Sequence, residues 1–307
     1  MKVCIVGSYA KALVMTSDRI PMAGETLIGY GYRETYGGKG SDMAVQAARL
    51  GAEVGYIGVV GKDGFGSEFI SLMEKEGVKT KGIRVTTDKP TGVGFIVKDK
   101  NAKNIIVVDM GANKLFHAAD IDANMHLIKE ADVVLTQLEI PIDTALYALR
   151  KAKKMNKITI LNPAPAINLL DYDLSFVDIV TPNETEARVA IGELPEVDMS
   201  HRQVAEKLLT TGCKKVIMTL GGDGADIHTT DSSMHVEAYE IDVVDSNGAG
   251  DSFNASLAVA LADGKSQEDA VSYAGAAAAL CCTKWETVPS YHTAKKVEEF
   301  MKKGYGK

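Results

Sequence analysis

Short apolar runs alternate along this chain with segments whose apolar positions recur roughly every three to four residues. Lys2–Gly7 predicts a first strand buried on both faces. Gly40–Leu50 carries Met43, Ala44, Ala47, Ala48 and Leu50 at helical spacing, and Gly51 stops it. Tyr56–Val60 predicts a second strand, and after Gly64-Phe-Gly a helix runs from Ser67 to Glu76. Further β-rich runs are Val133–Leu138, Thr159–Leu161, Ile179–Val180 and Val216–Leu220. Helical patterns lie between them at Ile142–Met155, Glu184–Ala190 and Val204–Thr211. Short strands alternating with amphipathic helices predict an α/β fold: a mostly parallel central sheet covered by helices on both faces.

Two segments break this rhythm. Residues 12–36 carry no helical pattern, and Thr26–Tyr36 is rich in β-formers and glycine. Gly92–Lys98 and Asn104–Asp109 flank a polar turn and predict a β-hairpin. Together, residues 12–36 and 91–110 are expected to form a small sheet standing off the main body, as a lid, a dimer contact or both. With no linker and no internal repeat, residues 1–307 are expected to be one domain plus that lid. In the last third, a strand is expected to end near Val244. A helix from Gly248 to Asp263 and an alanine-rich helix over Glu268–Leu280 follow. The small residues of the latter permit close packing on the sheet or on a ligand.

Composition narrows the function. The 307 residues are 46% hydrophobic and 24% charged, the mix of a soluble protein. A net charge of -7 without a basic run argues against nucleic acid, whose affinity rests on neutralised phosphates. Cys4, Cys213, Cys281 and Cys282 form no C-x-x-C pair and are expected to be free thiols in a reducing cytosol. No stretch approaches the roughly 18 apolar residues of a membrane span, so a cytoplasmic protein is expected.

Four glycine-bearing or polar turns carry the candidate chemistry. Val244-Asp-Ser-Asn-Gly-Ala-Gly-Asp251 opens a helix whose first amides form a cradle for an anion. There Asp251 can accept a proton from an attacking hydroxyl, or merely supply negative charge to a helix start. Tyr36-Gly-Gly-Lys-Gly-Ser-Asp42 lets a ligand approach the backbone and offers Lys39 and Asp42; alternatively, Ser41 or Asp42 caps the helix. It is not a Walker A loop, because Gly40 stands where Ser or Thr would be. In Thr181-Pro-Asn-Glu-Thr-Glu186, Asn183 and Glu186 suit phosphates and hydrated Mg²⁺, or capping alone. Thr219-Leu-Gly-Gly-Asp-Gly224 ends a strand where a nucleotide could lie, although a strand-to-strand turn explains it better. Hydrolase and dinucleotide motifs are absent.

Taken together, these segments resemble ribokinase and its relatives in the PfkB sugar-kinase family, from Val3 to about Thr283. The likeness includes Gln137-Leu-Glu139, Leu161-Asn-Pro-Ala-Pro165 and Gly248-Ala-Gly-Asp-Ser-Phe-Asn254. It implies the ribokinase-like three-layer α/β/α fold and transfer of the ATP γ-phosphate to a primary hydroxyl of a sugar or sugar-like substrate. By position, Asp251 would be the base, and Gly248, Ala249 and Gly250 the anion hole. Gly38, Lys39, Gly40, Asp42 and Glu139 would line the sugar pocket. Asn183, Thr219, Gly221, Gly222 and Gly224 would hold ATP, with Glu186 near Mg²⁺ through water. Asp245 and Asn247 match positions for an activating monovalent cation. The lid would close over the sugar and pair two chains in a homodimer.

The chain also departs from that pattern. Ribokinases follow the first strand with Gly-Ser-x-Asn-x-Asp, whose last two polar residues grip the ribose hydroxyls, whereas Ala10 and Ala12 stand there in this chain. Asp42 replaces an Asn, and Lys11 is a candidate contact to an acidic substituent. Ribose is therefore not expected to be the best substrate. After Thr283 the chain reads Lys284-Trp-Glu-Thr-Val-Pro289, without the family's glycine, so activation by K⁺ is not expected. A nucleoside or polyol kinase of the same fold, or a non-catalytic sugar-binding regulator, stands as the alternative.

Overall fold

The computed structural model describes residues 1–100 and 103–303. The first half runs β1 (Lys2–Val6), β2 (Ala10–Ser17), β3 (Tyr30–Gly37), α1 (Lys39–Arg49), β4 (Glu53–Gly61), α2 (Gly64–Lys75) and β5 (Lys79–Thr86). It continues through β6 (Gly92–Asp99), β7 (Asn104–Asp109), α3 (Ala118–Ala123) and α4 (Met125–Glu130). Then come β8 (Val133–Thr136), α5 (Ile142–Lys154), β9 (Ile158–Leu161), β10 (Ile179–Val180), α6 (Glu184–Ala190) and α7 (His201–Leu209). The chain closes with β11 (Val216–Thr219), β12 (Ala225–His228), β13 (Ser233–Val236), α8 (Ala249–Ala262), α9 (Gln267–Cys282) and α10 (Ala294–Lys302).

Nine strands form the central sheet in the order β13-β12-β11-β10-β9-β8-β1-β4-β5. All neighbours are parallel except β11–β12 and β12–β13. The alternation of side chains along β1 explains its apolar run. Val3 and Ile5 enter the core under α1, α2, α8 and α9, while Cys4 and Val6 enter the core under α5, α6 and α7. Each fully buried aliphatic side chain of this kind contributes about 1.5–3 kcal/mol. Helix α8 is buried almost throughout, from Asp251 to Ala260, because it packs on α9, α1 and β8 together. Among the described residues no helix is long and apolar enough to cross a membrane. The four cysteines are free thiols.

The segments that break the α/β rhythm form a separate four-stranded sheet, β3-β2-β6-β7. The expected hairpin is β6 with β7, antiparallel from Val93↔Asp109 to Lys98↔Asn104; part of its turn lies outside the described residues. The sheet starts at Ala10, earlier than the expected residue 12, because β2 runs parallel to β6 from Ala10↔Gly92 onward.

Three local expectations are corrected. No strand ends near Val244: after Val236 the chain is irregular to Gly248, and Val244 N–H donates to Cys282 O at 2.8 Å. Neither Ser41 nor Asp42 caps α1, since both lie buried inside it and Gly38 holds the cap position. Lys11 points away from the cleft and ion-pairs with Glu68 at 2.6 Å and Glu34 at 3.3 Å.

Candidate active site

The candidate residues collect at the carboxyl ends of the parallel strands, where open α/β sheets bind ligands. Just past β1, Ser8 Oγ donates to Glu139 Oε2 at 2.5 Å, and Gln137 Nε2 donates to Ser8 Oγ at 2.7 Å. The same Glu139 oxygen accepts Lys39 N–H at 2.8 Å. Glu139 thus ties the loop after β8 to the first residue of α1. The approach is close: a Cβ at Gly40 would lie 2.5 Å from Ser8 N and 2.7 Å from Gly7 Cα, which is why glycine stands there.

Helix α8 opens at Gly248, in the left-handed region at φ 79°, and its carbonyl accepts Tyr291 Oη–H at 3.4 Å. Ala249 N–H already donates to Ser246 O at 3.2 Å, whereas the first-turn amides that follow it have no acceptor within the helix. Asn254 steadies this turn by donating to Gly250 O at 2.8 Å, and Thr181 Oγ1 donates in turn to Asn254 Oδ1. Asp251 sits within the turn, buried, with Oδ1 lacking any hydrogen-bond partner. Its nearest cation is Lys39 Nζ, 3.8 Å away.

Electrostatics set Asp251 apart. Burial raises its carboxyl from 3.8 to about 6, opposed by Lys39 and reinforced by Glu139 and Glu186. The Asp251 charge in turn holds the Lys39 ammonium above its usual range, against the effect of burial. Asp42 is pushed well above the usual carboxylate range, first by burial and then by Asp251 and Glu139. Thr287 Oγ1 lies 3.4 Å from Asp42 Oδ1. Four carboxyls (Asp251, Glu139, Glu186 and Asp42) acting on one lysine favour a neutral acid among them.

Beside the cradle opens a mostly apolar cavity of about 360 Å³, the size of a small-molecule site. Asn183, Thr219, Gly221, Gly222 and Gly224 all line it, and Ala249 and Gly250 line its junction with the cradle. The Gly221–Asp223 turn is also the strand-to-strand connection between β11 and β12. Gly275, Ala278 and Ala279 on α9 line the same cavity, which accounts for their small side chains. Asn183 and Glu186 form a reciprocal capping box: Asn183 Oδ1 accepts Glu186 N–H at 2.8 Å, and Glu186 Oε2 accepts Asn183 N–H at 2.9 Å. Among the described residues no three His, Cys, Asp or Glu side chains are set to hold a metal. Glu186 is the carboxylate here that could face a hydrated Mg²⁺, a metal that commonly keeps several waters.

Asp245 and Asn247 lie one loop earlier. Asp245 Oδ1 accepts Asn247 N–H at 3.1 Å, and Oδ2 accepts Glu286 N–H at 3.2 Å. Lys98, on β6, places its ammonium 3.9 Å from Oδ2. Sequence reasoning missed Ser8, Gln137, Thr287 and Lys98. Only the Gln137-Leu-Glu139 motif offered a signal, because the others act across more than a hundred residues of chain.

The pattern of the "pfkB family carbohydrate kinase" matches residues 1–294. The ribokinase of Haemophilus influenzae is 35% identical over 297 residues, covering 97% of both chains. The deoxyribokinase of Salmonella typhi is 32% identical over 303 residues, covering 98% of this chain and 99% of its own. The Arabidopsis thaliana ribokinase complexed with ribose and ATP superposes with a TM-score of 0.88 at 28% identity, covering 98% of each chain. The fold is ribokinase-like, and the chain belongs to the pfkB family of ATP-dependent carbohydrate kinases.

Proposed function

We propose that this kinase phosphorylates a primary hydroxyl of a sugar whose lid-facing edge carries fewer hydroxyls than ribose. The observation that carries the reading is the buried Asp251 Oδ1 at the mouth of the anion cradle, which has Lys39 3.8 Å away and no hydrogen-bond partner. The acceptor hydroxyl binds that oxygen, its oxygen attacks the γ-phosphorus, and the bond to the β-phosphate oxygen breaks to release ADP. The proton passes to Asp251, late enough in a loose transition state that a weak base suffices. Amides at the start of α8 and the Lys39 ammonium meet the charge on the transferring group. The apolar cavity takes the nucleoside of ATP. Asn183 and Glu186 would hold Mg²⁺ through water, and the metal would supply neutralising charge to the phosphates.

The choice of sugar rests on the lid. Alternation along β2 and β6 puts Ala10, Ala12, Val14 and Ile96 on the face that also carries Lys98 toward Asp245. That face offers a sugar methyl and methylene contacts where ribose would need hydrogen bonds. A hydroxyl left without a partner there costs about 1–3 kcal/mol. A deoxy sugar fits better. The test compares kcat/KM for ribose with its deoxy analogues and with polyols and nucleosides. A clear preference for ribose would overturn the proposal.

The opposite face of the lid suits a second copy of this chain. Leu13, Phe95 and Val107 stand in register across three strands, with Phe95 59% and Val107 66% exposed. A contiguous exposed apolar sheet face marks an interaction surface. A homodimer that pairs two lids would cover it.

A further inference from the structure

Side chains from two lid strands, β3 and β6, reach one joint on the body. From β3, Arg33 ion-pairs with Glu286 at 2.6 Å and Thr35 Oγ1 donates to Glu286 Oε2 at 3.3 Å. From β6, Lys98 Nζ approaches Asp245 Oδ2 at 3.9 Å, with the two side chains only 15% and 8% exposed. Glu286 and Asp245 are themselves joined, because Glu286 N–H donates to that same carboxylate oxygen. Glu286 is held at φ 70°, a left-handed conformation that a glutamate rarely takes without support. The joint leads straight into the cradle: Asp245 Oδ1 fixes Asn247 N–H, and Gly248 comes next.

A carboxylate this buried needs a positive partner, since an unpaired buried charge is strongly destabilising. The family likeness implies a monovalent cation at Asp245 and Asn247, and the residues present do not fit one. Two backbone amides already occupy the two Asp245 oxygens, and an ammonium stands beside them. A metal cation placed there as well would sit within a few ångströms of a like charge in a poorly screened site.

We propose that Lys98 is a positioning residue whose lid-borne ammonium takes the place of a monovalent cation at Asp245, so that the cradle is set only when the lid is docked. The inference rests on the kinase reading of the site. In this role Lys98 acts through Asp245.

Trp285, the chain's single tryptophan, reports on this joint, because Lys98 Nζ lies 5.7 Å from its ring centroid. The test measures turnover with tetramethylammonium as the sole monovalent cation, then with added K⁺, alongside Trp285 emission during sugar titration. Wild-type turnover is expected to change less than about twofold with K⁺. Lys98→Met is expected to lose about tenfold or more in kcat with little change in KM, to recover part of it in K⁺, and to lose the sugar-induced change in Trp285 emission. Lys98→Arg is expected to recover most of the rate and the emission change. Strong K⁺ activation of the wild type would overturn the proposal without any variant, as would a Lys98→Met enzyme with wild-type kcat. Absence of wild-type turnover would instead count against the kinase reading. In that case the emission response, present in wild type and lost in Lys98→Met, still decides whether Lys98 docks the lid.

Discussion

Lys39 Nζ lies 3.8 Å from Asp251 Oδ1, an ammonium at the first residue of α1 facing a carboxylate in the first turn of α8. Two helix starts, each opening on glycines, thus converge on one charge pair. One side of the pair suits the transferring phosphoryl group and the other the acceptor proton.

The pH dependence follows from that pair. Asp251 must be ionised to take a proton, and burial raises its carboxyl to about 6. Activity is therefore expected to fall as pH drops through about 6, along a single acid limb in kcat/KM. Lys39 holds this carboxyl down, so Lys39→Met should move the limb to higher pH as well as slow turnover. A limb that stays in place in Lys39→Met would separate it from Asp251.

The sugar preference is testable by restoring what the lid lacks. Ala12 is only 8% exposed and lies on the cleft face of β2. Ala12→Asp is expected to raise kcat/KM for ribose about tenfold or more, the worth of a charge-assisted hydrogen bond, and to lower it for deoxy sugars. Steady-state kinetics on both acceptors measures the switch. Unchanged selectivity would mean that the ribose hydroxyls never meet this strand.

The lid's outer face carries the association prediction. Phe95→Glu puts a charge at the centre of the apolar patch, between Leu13 and Val107. Sedimentation is expected to show a dimer for the wild type and a monomer for the variant. An unchanged dimer would place the interface elsewhere.

Much of this was legible in the sequence, and the exceptions have physical causes. The parallel core was readable because strands buried on both faces are runs of apolar residues, as in β1, β8 and β9. The start of α8 and the Asn183 cap were readable because caps are local chemistry. The strand expected near Val244 failed for an instructive reason. Ile241 and Val243 line the apolar cavity beside the cradle and do not pair in a sheet. Strands β12 and β13, the antiparallel end of the sheet, were not located because they are short and half polar. Lys98 was unreadable because its partner lies nearly half the chain away, and a lysine in a strand signals only solvent until the fold brings a carboxylate to it.

The central claim is that Asp251 takes the acceptor proton. The most direct measurement is ATP consumption by wild type and Asp251→Ala across a sugar panel, with sugar binding followed in parallel by Trp285 emission. The account predicts that the variant loses about 10²–10⁴-fold in kcat while still binding the sugar. Turnover in Asp251→Ala close to that of the wild type would contradict it.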